Sequence, residues 1–258
     1  MTDAAGGARM AVVTGATSDI GRAIAAALAA TGRTVVIGYR ANAEGAERLA
    51  AELGVLAPAQ AVPVPIDVTD PSSLAGLTAR VAELATETRG RLDVLVNCAG
   101  ITEPVAHADL DGLTDEVFDR IMAVNVRGVF ATIRALTPAL RAGGGTIVNI
   151  SSVAAVTGQG SNVAYCASKA ALDSLGRSLG RALAPDVRVV SVSPGWVFGE
   201  RAERMPSEVI AAQAAATPLA RLATPTDVGA AVVAVVDHLP FTTGVALPVD
   251  GGRPLGVT

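Results

Sequence analysis

The chain has 258 residues, half of them hydrophobic, only 3% aromatic, with a net charge of −4. That length allows one large α/β unit or two small ones, with Ala, Val and Leu filling the core. Mild acidity argues against a nucleic-acid partner, no apolar run reaches the length of a membrane span, and the opening MTDAAGGAR lacks the apolar region of a signal peptide. We therefore expect a cytoplasmic protein with a short lead-in (1–9) and one folded unit (10–258). Cys98 and Cys166 fall in core-like segments and have no ligand spacing, so they read as reduced, buried thiols, and no metal site is expected.

Strands alternate with helices along the whole chain. The apolar runs AVVT (11–14), TVVIGY (34–39), AVPVPI (61–66), LDVLVN (92–97), TIVNI (146–150), VRVVSV (187–192) and VALPV (245–249) read as strands. They are continuous rather than alternating, as in a parallel sheet covered on both faces. Pro63 and Pro65 suit the third strand to a sheet edge. Between the strands, IGRAIAAALAA and PSSLAGLTARVAELATETR have helical periodicity. Asp70 and Pro71 supply a cap and a first-turn proline for the second of these. The predicted fold is a single doubly wound Rossmann-type α/β unit with a seven-stranded parallel sheet.

Three features carry chemistry. The first strand runs into Thr14-Gly15-Ala16-Thr17-Ser18-Asp19-Ile20-Gly21 and then a helix. Gly15 permits a tight turn, Gly21 close packing, and the helix N-terminus can face a pyrophosphate. Asp19 sits badly beside phosphates, so we expect it to turn away and cap the first helix or meet Arg22. Second, Tyr165 and Lys169 are one helical turn apart, and Ser152 follows a buried strand. A phenol ionises near pH 10 in water, and a neighbouring cation favours its charged form. Of Ser151 and Ser152, only one should reach the site, because strand residues alternate between faces. Third, the second strand ends in GYRANAEG, with Arg40 where an arginine would accept the 2′-phosphate of NADP, and Asn42 near enough to add a bond. NADP(H) is the expected cofactor, with NAD(H) as the alternative.

Together these motifs resemble the short-chain dehydrogenase/reductase family along nearly the whole chain after residue 9, most closely its 3-oxoacyl acyl-carrier-protein reductase branch. TGATSDIG resembles the cofactor turn, with Asp19 in place of a glycine. Asp67-Val68 resembles the acidic pair at the adenine. Asn97-Cys98-Ala99-Gly100 resembles NNAG, with Cys98 in place of the second asparagine. Asn125 in VNVRG, Ser152, Tyr165 and Lys169 match the catalytic set. Pro194-Gly195 matches the turn beside the nicotinamide, with Gly199 where a threonine is usual, and Asp250-Gly251-Gly252 matches the closing DGG.

The resemblance implies cofactor contacts from Gly15, Thr17, Ser18, Asp19, Ile20, Arg40, Asp67, Val68, Asn97, Ala99, Gly100, Tyr165, Lys169, Pro194, Gly195 and Val197. It also implies roles. Tyr165 is the general acid, Lys169 assists it and holds the nicotinamide ribose, and Ser152 positions the substrate oxygen. Asn125 interrupts its helix and helps hold a water. The implied activity is NADPH-dependent reduction of a ketone, with a 3-oxoacyl thioester or polyketide-like compound as substrate class and an acyl-carrier protein as a candidate partner.

Segment 196–221, which lacks a strand, should cover the substrate, with Trp196, Phe198 and Met205 as bulky lining groups. Small and apolar residues on helices near 112–137 and 161–184 would leave an apolar surface, and the resemblance implies that these helices pair between subunits in a homotetramer. His107 and His238 read as surface residues. The competing readings are an NAD-dependent alcohol or sugar dehydrogenase, a non-catalytic dinucleotide-binding regulator, and a scaffold using only the family's assembly surfaces.

Overall fold

The computed structural model describes residues 8–56 and 61–255. Seven strands form one sheet: β1 (Arg9–Thr14), β2 (Thr34–Tyr39), β3 (Ala61–Pro65), β4 (Arg91–Asn97), β5 (Thr146–Ile150), β6 (Arg188–Pro194) and β7 (Val245–Val249). Their order is β3-β2-β1-β4-β5-β6-β7, and every pairing is parallel. All seven expected strands are present, and the proline-bearing β3 is an edge. Arg9, assigned to the lead-in, opens β1; residues 1–7 lie outside the described residues.

Alternation along each strand divides the core in two. Met10, Val12, Val36, Leu95 and Ile147 face one side, where α3 (Pro71–Glu87), α5 (Val129–Gly143) and α7 (Val163–Ala182) pack. Ala11, Val13, Val35, Val94 and Val148 face the other, against α1 (Asp19–Ala30), α2 (Ala43–Leu56) and α10 (Pro225–Val233). With both faces covered, the strands need no polar side, which is why they read as unbroken apolar runs.

Two local choices matter for the site. Asp70 has extended backbone and accepts from the Ser72 N–H at 2.9 Å, with Pro71 following, so α3 starts as expected. Between α4 (Asp115–Met122) and α5, the chain forms a π-helical turn, Ala123–Gly128, that contains Asn125. The order of the sheet reverses between β1 and β4, which opens a crevice beyond their carboxyl ends. Among the described residues no helix is long and apolar enough to cross a membrane.

Candidate active site

The crevice begins at the turn after β1. Gly15 has φ of 65°, and a side chain there would meet the Ala99 backbone at 2.9 Å, so the turn and the β4 loop can touch only through glycine. Thr14 tightens the same contact, since its hydroxyl oxygen accepts from the N–H groups of Cys98 (3.2 Å) and Ala99 (3.1 Å). The cavity beyond, of about 270 Å³, is lined by Gly15, Thr17, Ser18, Arg40, Asp67, Val68, Ala99 and Gly100, with Asn42 and Cys98. Arg40 is exposed at its edge and makes no ion pair among the described residues. Hydrogen bonds from the Thr69 hydroxyl and N–H hold the Asp67 carboxyl below the usual aspartate range. They occupy Oδ1 and leave Oδ2 for a ligand.

A second cavity, of about 390 Å³, continues the first, and Ser18, Cys98, Gly100 and Ile101 line both. It gathers Asp19, Ile20, Ser152, Tyr165, Lys169, Pro194, Gly195 and Val197. A third, of about 480 Å³, adjoins it through Thr102, Ser152, Tyr165, Gly195 and Val197. Part of Cys98 reaches the cavity wall, but its thiol is enclosed, and burial pushes it up to about 11.

The helix carrying Tyr165 and Lys169 is fixed at its start. Asn162 caps α7 by accepting from the Tyr165 N–H at 2.6 Å and donates to the Glu103 carbonyl at 2.5 Å. Lys169 is buried, with Nζ donating to the Ile150 carbonyl at 2.7 Å and lying 5.6 Å from the Tyr165 ring centre. An ammonium has three donors, so two remain for a ligand. Ser151 and Ser152 both border the cavity but differ in use. The Ser151 hydroxyl donates back to the Lys169 carbonyl at 3.4 Å, while Ser152 accepts from the Ala154 N–H at 3.1 Å and also reaches the third cavity.

Two expected site residues stand behind these walls. Asn125 is fully buried; its side chain bridges the Ile101 N–H (2.8 Å) and carbonyl (2.9 Å) and donates to Ser168 (3.1 Å). Asn97 donates to Asn149 at 2.9 Å and ties β4 to β5. Of the bulky groups in 196–221, Trp196 and Met205 line the third cavity, whereas Phe198 borders a separate groove beside Arg22 and Leu49. Ile101 and Thr102 line the site without having been singled out, and so do Gln213 and Arg253, while Cys98, expected only as a core thiol, lines it too. His107 and His238 are exposed.

Asp19 departs from expectation. Ser18, extended at φ −78° and ψ 160°, takes the cap of α1 and accepts from the Gly21 N–H at 3.2 Å. Asp19 is already helical and cannot cap its own helix, and Arg22 pairs with Glu52 at 3.3 Å. The Asp19 Oδ2 instead accepts from the Glu200 N–H at 2.7 Å, across the crevice, where α8 (Glu200–Glu203) begins. A methyl group at Gly199 would stand 2.4 Å from that oxygen. The two departures from the family motifs are therefore one contact, in which the carboxylate needs the space that glycine leaves.

The family model described as Enoyl-(Acyl carrier protein) reductase matches residues 15–253. A protein of Streptomyces violaceoruber assigned as a granaticin polyketide synthase ketoacyl reductase is 38% identical over 96% of this chain and 97% of its own. Cis-4-hydroxycyclohexanecarboxylate dehydrogenase of Sinomonas cyclohexanicum is 40% identical over 95% and 96%. The 3-oxoacyl acyl-carrier-protein reductase FabG of Thermotoga maritima is 31% identical over 95% and 97%. A crystal structure assigned to a short-chain dehydrogenase/reductase of Burkholderia xenovorans superposes with a TM-score of 0.85 at 32% identity, covering 96% of this chain and 99% of that one. With the motifs in order on a parallel seven-stranded sheet, the chain belongs to the short-chain dehydrogenase/reductase family, NAD(P)-dependent oxidoreductases acting on hydroxyl and carbonyl groups.

Proposed function

We propose that the protein is an NADPH-dependent carbonyl reductase that converts a ketone to an alcohol, with 3-oxoacyl thioesters or polyketide-like ketones as the substrate class. The observation that carries this reading is the junction of the cavities, because Ser152 and Tyr165 line both the crevice and the pocket beside it. The crevice fits a dinucleotide. It has an unpaired arginine and a free carboxylate oxygen at one end, the first turn of α1 in the middle, and a buried lysine with spare donors at the other. When bound, the nicotinamide dinucleotide supplies the hydride.

The chain's own residues do the rest. Ser152 holds the carbonyl oxygen through its hydroxyl, and Tyr165 gives that oxygen a proton as negative charge develops on it. Lys169 places its ammonium beside the Tyr165 ring and donates its free N–H bonds to the ribose. Asn125 fixes the Ile101 backbone and the start of the loop that floors the pocket. Arg40 accepts the 2′-phosphate as a partner for its unpaired charge. Segment 196–221 covers the substrate, with Trp196 and Met205 supplying the apolar wall.

A second reading has a specific basis. The 40% identity to a hydroxycyclohexanecarboxylate dehydrogenase favours the same chemistry run as alcohol oxidation. Purified protein assayed with NADPH and NADH against ketones, acyl thioesters and the matching alcohols distinguishes the two. Oxidation of alcohols with NAD and no NADPH-driven reduction would overturn the first.

Assembly as a homotetramer through α4, α5 and α7 is supported by the exposed Phe118, Phe130 and Val163 on those helices.

A further inference from the structure

The pocket beside Tyr165 has a wall opposite in character to the rest of its lining. Pro104, Trp196, Ala202 and Met205 make it largely apolar, and among the described residues no Asp, Glu, Lys or His borders it. One permanent charge does: the guanidinium of Arg253. The residue is half-buried, just beyond the Asp250-Gly251-Gly252 turn that ends β7, and its N–H bonds the Asp250 carbonyl at 3.2 Å. Its side chain donates from Nη1 to the Gln213 carbonyl (2.8 Å) and from Nη2 to the Gln213 side-chain oxygen (2.7 Å).

Both partners are neutral. Among the described residues no carboxylate lies within ion-pairing distance of Arg253, whereas Arg33, Arg48, Arg80, Arg120 and Arg221 each have at least one. A guanidinium has five N–H donors, and Gln213 uses two. Three donors and a full positive charge remain beside an apolar, partly enclosed space. A neutral ligand would leave that charge uncompensated, while an anionic one would meet a charge-assisted, fork-shaped partner.

We propose that Arg253 is a specificity-determining residue that binds an anionic group on the substrate, and that the substrate class is a ketone or alcohol carrying a carboxylate. Arg253 shares one cavity of about 480 Å³ with Tyr165, so the carboxylate and the reacting carbonyl belong to the same small molecule. The Gln213 contact sets the guanidinium in place before the ligand arrives, which lowers the cost of ordering it. The proposal rests on the carbonyl reductase reading for the reacting end of the molecule, but not for the binding of its anion.

The test separates the two. Trp196 is the single tryptophan of the chain and lines this pocket, so its fluorescence reports occupancy without turnover. Protein loaded with NADP is titrated with a series of keto acids and with their methyl esters, and NADPH-driven reduction of both sets is measured in parallel. The expected result is tighter binding and lower KM for the acids. In Arg253→Met that preference, read in both the dissociation constants and KM, falls by about ten- to a hundredfold. Arg253→Lys, which keeps a point charge without the fork, should restore part of it. An Arg253 that only braced Gln213 would raise KM for acids and esters alike, and that outcome overturns the proposal. Equal binding of acid and ester to the parent does so as well. Preference for a pantetheine thioester bearing its 4′-phosphate over the dephosphorylated form, with none for keto acids, would assign the charge to a carrier arm instead and refute the small-molecule carboxylate. Carboxylate binding without reduction of any ketone would sink the reductase reading and leave the anion site standing.

Discussion

The start of α7 and the segment 196–221 face each other across the pocket and are held by different means. Around α7, Asn125, Asn162, Ser168 and Lys169 are all buried, and each is hydrogen-bonded to a neighbouring element or turn. Buried polar groups of this kind are costly to leave unpaired, so the arrangement has little freedom. Across the pocket, α9 (Ser207–Ala215) buries no residue and lacks a side-chain cap. Its segment is tied down at a few points: Asp19 holds Glu200 at one end, Arg253 holds Gln213 within α9, and Arg221 forms a double contact to Asp227 at 2.7 and 3.0 Å at the other end. Backbone pairing of Trp196 and Phe198 with Ala223 closes its stem. The surroundings of Tyr165 and Lys169 are built into the core, and the wall opposite is attached by a few polar contacts. Precision belongs to the first region and adaptability to the second.

Substitution on the built-in side should have the largest effect. Tyr165→Phe should lower kcat about a hundredfold or more while leaving NADPH affinity unchanged. Turnover within a few-fold of the parent would show that the rigid side does not carry the proton. Arg40→Ala, at the far end of the crevice, should weaken NADPH by about 1.5–3 kcal/mol and leave NADH nearly untouched. Dissociation constants for both cofactors decide this, and equal weakening would remove Arg40 from the 2′-phosphate.

The attached side should respond more mildly. Asp19→Gly removes the contact that starts α8, worth about 0.5–2 kcal/mol for a capping carboxylate, and should raise KM for the carbonyl substrate more than it changes kcat. Gly199→Thr should be harmful in the parent, where the new side chain meets the carboxylate, and well tolerated in the Asp19→Gly background. Strict additivity of the two substitutions would show that the pair is not coupled.

Acid should loosen the other tether by a small amount. Hydrogen bonds from Arg221 and then from the Thr224 N–H hold the Asp227 carboxyl well below the usual aspartate range. A depressed carboxylate stabilises the fold above its unfolded value, about 3.9, and that stability is lost as pH falls below it. The gap in Tm between the parent and Asp227→Asn should therefore be full at pH 7 and shrink below pH 4. A gap that stays constant would mean that the ion pair contributes nothing.

What the sequence disclosed follows the same division. The strands were legible because burial on both faces leaves continuous apolar runs, and the helix start at Asp70 and the pairing of Tyr165 with Lys169 on one helix face were legible because their spacing is local. The partner of Asp19 was not, because Glu200 is 181 residues away and no local rule connects them. Aspartate is a good cap, but the backbone gave that role to Ser18 one residue earlier. Arg253 was hidden for a similar reason. Only the turn after β7 brings it to the pocket, and nothing about a lone arginine after DGG announces a cavity. Phe198 shows the reverse error, since a bulky residue in the right segment can still face another groove.

The prolines of the edge strands have a consequence for life at high concentration. The Ile66 N–H bonds the Tyr39 carbonyl, so the even-numbered residues of β3 point toward β2 and the odd ones outward. Pro63 and Pro65 are the outward ones. At the opposite margin, the Gly195 N–H bonds the Val249 carbonyl, so the odd residues of β7 face β6 and Pro248 faces out. All three prolines thus lack an N–H at positions where the sheet would otherwise offer one to a stranger. They cost the native ladder nothing, and they deny a template to the unfolded apolar strands of other copies. Growth of the sheet into aggregates is made less favourable at both margins.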